Sequence, residues 1–111
     1  MQLDIRGVNY ELNEELKDHV ERRLRFALGR FAHRVERVSV LLSDVNGPRG
    51  GVDKRCRIAV GLVPRGVVMV EGSGDDPFVL VASIAKRAGR SVWRTLERRR
   101  RRSQQAVPVL S

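Results

Sequence analysis

The chain has 111 residues and a single cysteine, Cys56. That is enough for one domain with one modest core, and it excludes both a pair of independent domains and a disulfide-stapled scaffold. Hydrophobic residues make up 41% and charged residues 32%, apolar enough to fold, while a net charge of +9 directs attention to a polyanionic partner.

The opening MQLDIRGVNYEL carries charges at Asp4, Arg6 and Glu11 where a secretory signal needs an apolar run. No segment reaches the roughly eighteen apolar residues of a membrane span. A reducing, cytoplasmic setting is therefore expected, with no membrane partner.

In chain order, Leu3 and Ile5 alternate with polar neighbours over residues 2–6, a short strand that Gly7 should close. Asn13 is suited to cap a helix, Glu14 and Glu15 to its positive end, and Leu16, Val20, Leu24, Ala27 and Phe31 recur at helical spacing. The spacing predicts a helix over 13–32. Period-two alternation of Val38, Val40 and Leu42 then gives a strand over 34–44.

Residues 46–51 are a turn cluster without the lysine-serine ending of a phosphate-binding loop, so they read as a hairpin connection, with Arg49 a secondary RNA-contact candidate. In the next strand Cys56, Ile58, Val60 and Leu62 face inward while Arg55 and Arg57 alternate outward. After the tight connection Pro64-Arg65-Gly66, a run from Val67 to Val70 should pair with it antiparallel.

Asp75, Asp76 and Pro77 mark the start of a last helix, which runs through Leu96 into an arginine block with Gly89 its one breaker. Ser103, Gln104 and Pro108 point to a frayed tail. The expected organisation is one domain over residues 1–102 and a flexible tail over 103–111. The order β-α-β-β-β-α implies an α+β fold, a four-stranded sheet with both helices packed on one face.

The charge is concentrated. Between Lys86 and Arg102 nine basic residues face one acid, Glu97, a net of +8, and the rest of the chain has a net of +1. At about 100° per residue, Arg87, Arg90, Arg94, Arg98 and Arg101 fall within roughly 80° of arc. Phe78, Val81, Ile84, Ala85, Ala88, Val92 and Leu96 gather on the other side. A solvated helix face usually mixes signs at i+3 and i+4, whereas this one aligns like charges that something outside must neutralise. Arginine's planar fork suits phosphate and exposed bases, which favours RNA.

Trp93, beside Lys86, Arg90 and Glu97, has two readings: stacking on a base, or packing at the sheet edge. The run Arg98 to Arg102 is less specific, since five arginines attract any polyanion. Cys56 reads as a core thiol, and His19 and His33 as surface or helix-end residues. No nucleophile with a base, tuned carboxylate pair or metal-ligand spacing is assembled, so neither catalysis nor a cofactor or metal is expected.

The opening MQLDIRG, the helix carrying Leu16, Val20 and Phe31, the three-strand middle and a basic helix introduced by Gly74-Asp75-Asp76-Pro77-Phe78 resemble the ribosome hibernation promoting factor and ribosome-associated inhibitor family, also described as sigma-54 modulation proteins. The likeness covers about residues 1–100, a short form of the family. It implies a fold similar to double-stranded-RNA-binding domains. It also implies binding to the small ribosomal subunit and its rRNA, in the decoding channel where messenger RNA and the A-site and P-site transfer RNAs lie, as a stationary-phase or stress factor. Matching basic positions are Lys17 and Arg23 on the first helix and Arg87, Arg90, Arg94 and Arg98 on the last; Lys86 joins them as a candidate from its place on the helix. Phe26, Pro77 and the longer, glycine-rich 46–51 loop depart from the family pattern. A monomer without a small-molecule substrate is expected. Two alternatives stand beside it: a general RNA- or DNA-binding module using the same charge stripe, or a protein-interaction regulator acting through the outer sheet face.

Overall fold

A computed structural model describes residues 1–44 and 54–105 of the chain; the 46–51 loop with Arg49, and the end of the tail, lie outside the described residues. Strand β1 (Gln2–Val8) leads into helix α1 (Glu14–Leu28), a 3-10 segment (Gly29–Arg34) and strand β2 (Val35–Asp44). Strands β3 (Lys54–Leu62) and β4 (Val67–Gly74) and the long helix α2 (Pro77–Gln105) follow.

The sheet has the order β1-β2-β3-β4. β1 runs parallel to β2, with Leu3 beside Val38 and Ile5 beside Val40, and the remaining pairs are antiparallel. Along the ladders one parity of strand residues is buried, Val38, Val40 and Leu42 on β2, Cys56, Ile58, Val60 and Leu62 on β3, Val68 and Val70 on β4, and Val35 joins them from the other parity because the register shifts between it and Arg37. These join Leu16, Val20, Leu24 and Leu28 of α1 and Val81, Ile84, Ala85, Ala88 and Val92 of α2 in one core. Both helices therefore cover the same sheet face, and the α+β architecture is the one expected.

Both helix starts follow the local chemistry. The Asn13 side chain accepts a hydrogen bond from the Leu16 amide at 2.8 Å, and Asp76 accepts from Phe78 and Val79 at 2.9 and 3.4 Å, relieving amides that have no partner within the helix. Several boundaries differ from the sequence reading, among them the end of α2, which runs to Gln105 where a tail was expected from 103. Gly7 does not close β1, because the parallel ladder continues to Val8 opposite Ser43. The α-helical part of α1 stops at Leu28 rather than 32, Gly29 opening a tighter 3-10 segment that turns the chain into β2. β4 extends past Val70 to Gly74, since Glu71 to Gly74 complete the ladder with Arg57 to Lys54.

α2 runs back along β4. Gly74 lies beside Leu80, Gly72 beside Ile84 and Arg87, and Gly66 beside Arg99. A 29-residue helix is about 43 Å long, whereas an eight-residue strand spans about 26 Å, so the last turns of α2 overhang the sheet. Gly66 in the β3–β4 turn has φ of +101°, a left-handed conformation natural to glycine, and a Cβ there would overlap the Arg99 guanidinium.

Candidate nucleic-acid interface

The core-facing side of α2 fixes where its cations go. With Val81, Ala88 and Val92 fully buried, Lys86, Arg90, Arg94 and Arg98 are all exposed. The stripe divides across the helix. Arg87 leans to the sheet side, where its Nη1 donates to the Glu71 carbonyl of β4 at 3.1 Å. Lys86 and Arg90 lean the other way, towards α1. By helical phase Arg94 stands on the crest between them, and Arg98, three turns beyond Arg87, is on the same side as Arg87, with its Nη2 donating to Thr95 at 3.4 Å.

The helices approach closely where Gly89 of α2 meets Ala27 of α1. A groove of about 530 Å³ opens on the solvent side of that contact. Arg23 and Phe26 of α1, Arg30 of the 3-10 segment that follows it, and Lys86, Arg90 and Trp93 of α2 form its walls, over a floor of Ala27, Ala82, Ala85 and Gly89. Phe26 is 87% exposed and Trp93 45%. Arg30 also rests over the Phe31 ring, 4.7 Å from its centroid.

Of the sequence-predicted residues, the structure brings Arg23, Lys86 and Arg90 together around this groove, with Arg94 adjoining on the crest. Lys17 is not among them. It lies on the opposite flank of α1, over β1, 3.9 Å from Glu14. Trp93 faces α1 rather than the sheet edge, which is on the other side of α2. The sequence reading did not single out Arg30, and it treated Phe26 only as a family departure. The pattern Arg23, Phe26, Ala27, Arg30, at intervals of three and four, was the available signal.

Charge on this face is unbalanced. Among the described residues no carboxylate lies within 4.0 Å of Arg23, Lys86, Arg90 or Arg94. The acids that do pair sit elsewhere, Glu21 with Arg25 at 2.9 Å and Glu97 with Arg100 at 3.2 Å. Arg90 and Arg94, and Arg94 and Arg98, are four apart, a spacing at which like charges destabilise an isolated helix by about 0.2–0.5 kcal/mol per pair. A polyanion laid along the crest would convert that repulsion into attraction.

The face contains no assembled catalytic group. Among the described residues no cluster of His, Cys, Asp and Glu could hold a metal ion, and Cys56 is sealed in the core, burial pushing its thiol up to about 12. His19 is half-buried between the helices, its Nε2 2.8 Å from the Phe78 carbonyl, rather than a surface residue. No helix of the described residues is long and apolar enough to cross a membrane.

The family described as Sigma 54 modulation protein / S30EA ribosomal protein matches residues 3–100. The chain belongs to this family. The resemblance read from the sequence is thereby borne out, and the family is one of ribosome-associated factors, a non-enzymatic kind of protein. A crystal structure of the Thermus thermophilus Protein Y N-terminal domain is similar at 28% identity and a TM-score of 0.69, covering 86% of this chain and 99% of that one. The structure of a ribosomal subunit interface protein from Coxiella burnetii shares the fold, with a TM-score of 0.71 at 13% identity over 87% of this chain and 99% of that one. No curated protein sequence gives a significant match.

Proposed function

We propose that this S30EA-family protein binds the small ribosomal subunit as a monomer and occupies the decoding channel, holding idle ribosomes silent. Arg87, Arg90, Arg94 and Arg98 of α2, with Lys86, and Arg23 and Lys17 of α1, would contact rRNA phosphates. It acts by occupancy, without catalysis. One observation carries the reading: exposed cations line the outer side of α2 with no acid among the described residues paired to Lys86, Arg90 or Arg94, in a chain whose family is ribosome-associated. Lys17 is the weakest member of the set, being on the far flank beside Glu14.

Sucrose-gradient sedimentation tests this reading. The purified protein is expected to travel with small subunits at physiological salt and to be displaced when messenger and transfer RNA fill the channel. Failure to co-sediment, or equal binding with the channel filled, would overturn it. A general nucleic-acid module would bind isolated duplexes as well as it binds subunits, so competition between the two separates the readings where salt dependence alone does not.

A further inference from the structure

We propose that the groove between α1 and α2 is a stacking site for an unpaired RNA base, with Phe26 and Trp93 as its aromatic surfaces and Arg23, Arg30, Lys86 and Arg90 holding the flanking phosphates. The inference rests on the protein being RNA-binding, and it adds that the strand is single-stranded where it meets this groove.

The shape of the site carries the first part. Ala27, Ala82, Ala85 and Gly89 are small, so the floor lies low between walls of long side chains. The resulting space, about 530 Å³, is within the range of roughly 300–1,000 Å³ typical of small-ligand sites. A flat basic surface would suffice for a duplex backbone. A concave one with an apolar floor and aromatic rings in its walls accepts something that inserts.

The wall chemistry carries the second part. Isolated exposed apolar residues are ordinary on a protein surface, but Phe26 and Trp93 come from different helices and line one groove. Four cations frame them, and no acid among the described residues lines the groove. The nearest acid on α2, Glu97, one turn beyond Trp93, is held by Arg100 at 3.2 Å. Aromatic faces beside a positively charged track are how proteins hold splayed bases while gripping the backbone. Bases inside an A-form duplex are stacked and paired, and cannot enter. A lipid surface fits less well, because the continuous apolar face of α2 is spent on the core and, among the described residues, the groove exposes just the Phe26 and Trp93 rings between cations.

Trp93 is the only tryptophan in the chain, so its emission reports directly on the groove. The full-length protein would be titrated with a ten-nucleotide oligoadenylate, a blunt RNA duplex of equal length, and phosphatidylserine vesicles. Saturable quenching by the oligoadenylate is expected. The duplex should bind, as read by anisotropy of a labelled strand, without quenching. Phe26→Ala and Trp93→Ala should each weaken labelled oligoadenylate about tenfold and leave duplex affinity and the thermal melt unchanged, as both rings are exposed.

Equal quenching by duplex, a response to vesicles alone, or wild-type oligoadenylate affinity in both variants would overturn the stacking site. Sedimentation with small subunits is run in parallel. Subunit binding with an unquenched Trp93 removes the stacking site alone. Loss of subunit binding with oligoadenylate quenching intact removes the ribosomal address and leaves the base site standing.

Discussion

Gly89 of α2 and Ala27 of α1 are in backbone contact: a Cβ built on Gly89 would stand 2.8 Å from the Ala27 carbonyl oxygen. On helix propensity alone Gly89→Ala would stabilise by about 1 kcal/mol. The opposing atom is backbone, however, and cannot swing aside, so the helices must separate. We expect a net loss of about 1–2 kcal/mol, as overpacking does in a close-packed core. Urea unfolding would show a lower midpoint at unchanged slope. A midpoint equal to or above wild type would show that the contact is not tight.

Arg90→Glu combined with Arg94→Glu should abolish small-subunit binding and leave the thermal melt unchanged, because both side chains are exposed opposite the buried Val92 and Ala88. Singly, Arg94→Ala should weaken binding and lower the slope of log K against log salt by about one, the signature of a lost phosphate contact. Arg87→Ala should do less, since its guanidinium already donates to the Glu71 carbonyl. Unchanged subunit binding in the double variant would remove the central claim for α2.

Val92→Asp is the converse experiment. Val92 is fully buried in the hydrophobic core, so the charge should cost several kcal/mol and lower the melting temperature sharply. A melt like that of wild type would mean that the inner face of α2 is elsewhere.

Elements and their core faces were legible because the sequence obeys two periods strictly. Val38, Val40 and Leu42, and Cys56, Ile58, Val60 and Leu62, alternate as strands with one buried face must, and all seven are buried. Asn13 and Asp76 announced their helices by cap chemistry. The end of β1 at Val8 was not legible, because the partner that extends it, Ser43, is 35 residues away. The candidate site divides in the same way. Phase along one helix exposed Lys86, Arg90 and Arg94, but the groove exists only between two helices, so Arg30 and Phe26 gained meaning only once α1 was laid beside α2. Gly89, a breaker when read locally, is what lets the helices close.

Cys56 makes stability depend on pH at the alkaline end. Burial raises its thiol from 9.0 to about 12, so the folded state keeps the proton while the unfolded chain releases it. The contribution is full below pH 9 and is lost as the pH rises from 9 towards 12, by at most about 1.4 kcal/mol per unit. The difference in unfolding free energy between wild type and Cys56→Ala, measured by urea titration at pH 7, 9 and 10.5, should shrink over the last interval. A constant difference would show that the thiol titrates normally in the fold. Thiol reagents should likewise leave the native protein unmodified at pH 8, and modify it in urea.

Arg99 separates the arginines that hold the fold from those that face outward. It belongs by sequence to the run Arg98 to Arg102, yet its guanidinium lies over Gly66 in the β3–β4 turn, and its Nη1 is buried with no hydrogen-bond partner among the described residues. The side chain is half-buried, and a buried donor group left without a partner costs about 1–3 kcal/mol. Arg99→Met keeps the stem and removes that donor, so the urea midpoint should hold or rise. RNA affinity should fall less than in Arg101→Met, whose parent side chain is exposed on the basic side of α2. Equal losses of affinity in the two variants would show that the run acts as undifferentiated charge, and a sharp fall in the Arg99→Met midpoint would show that the guanidinium itself anchors the turn.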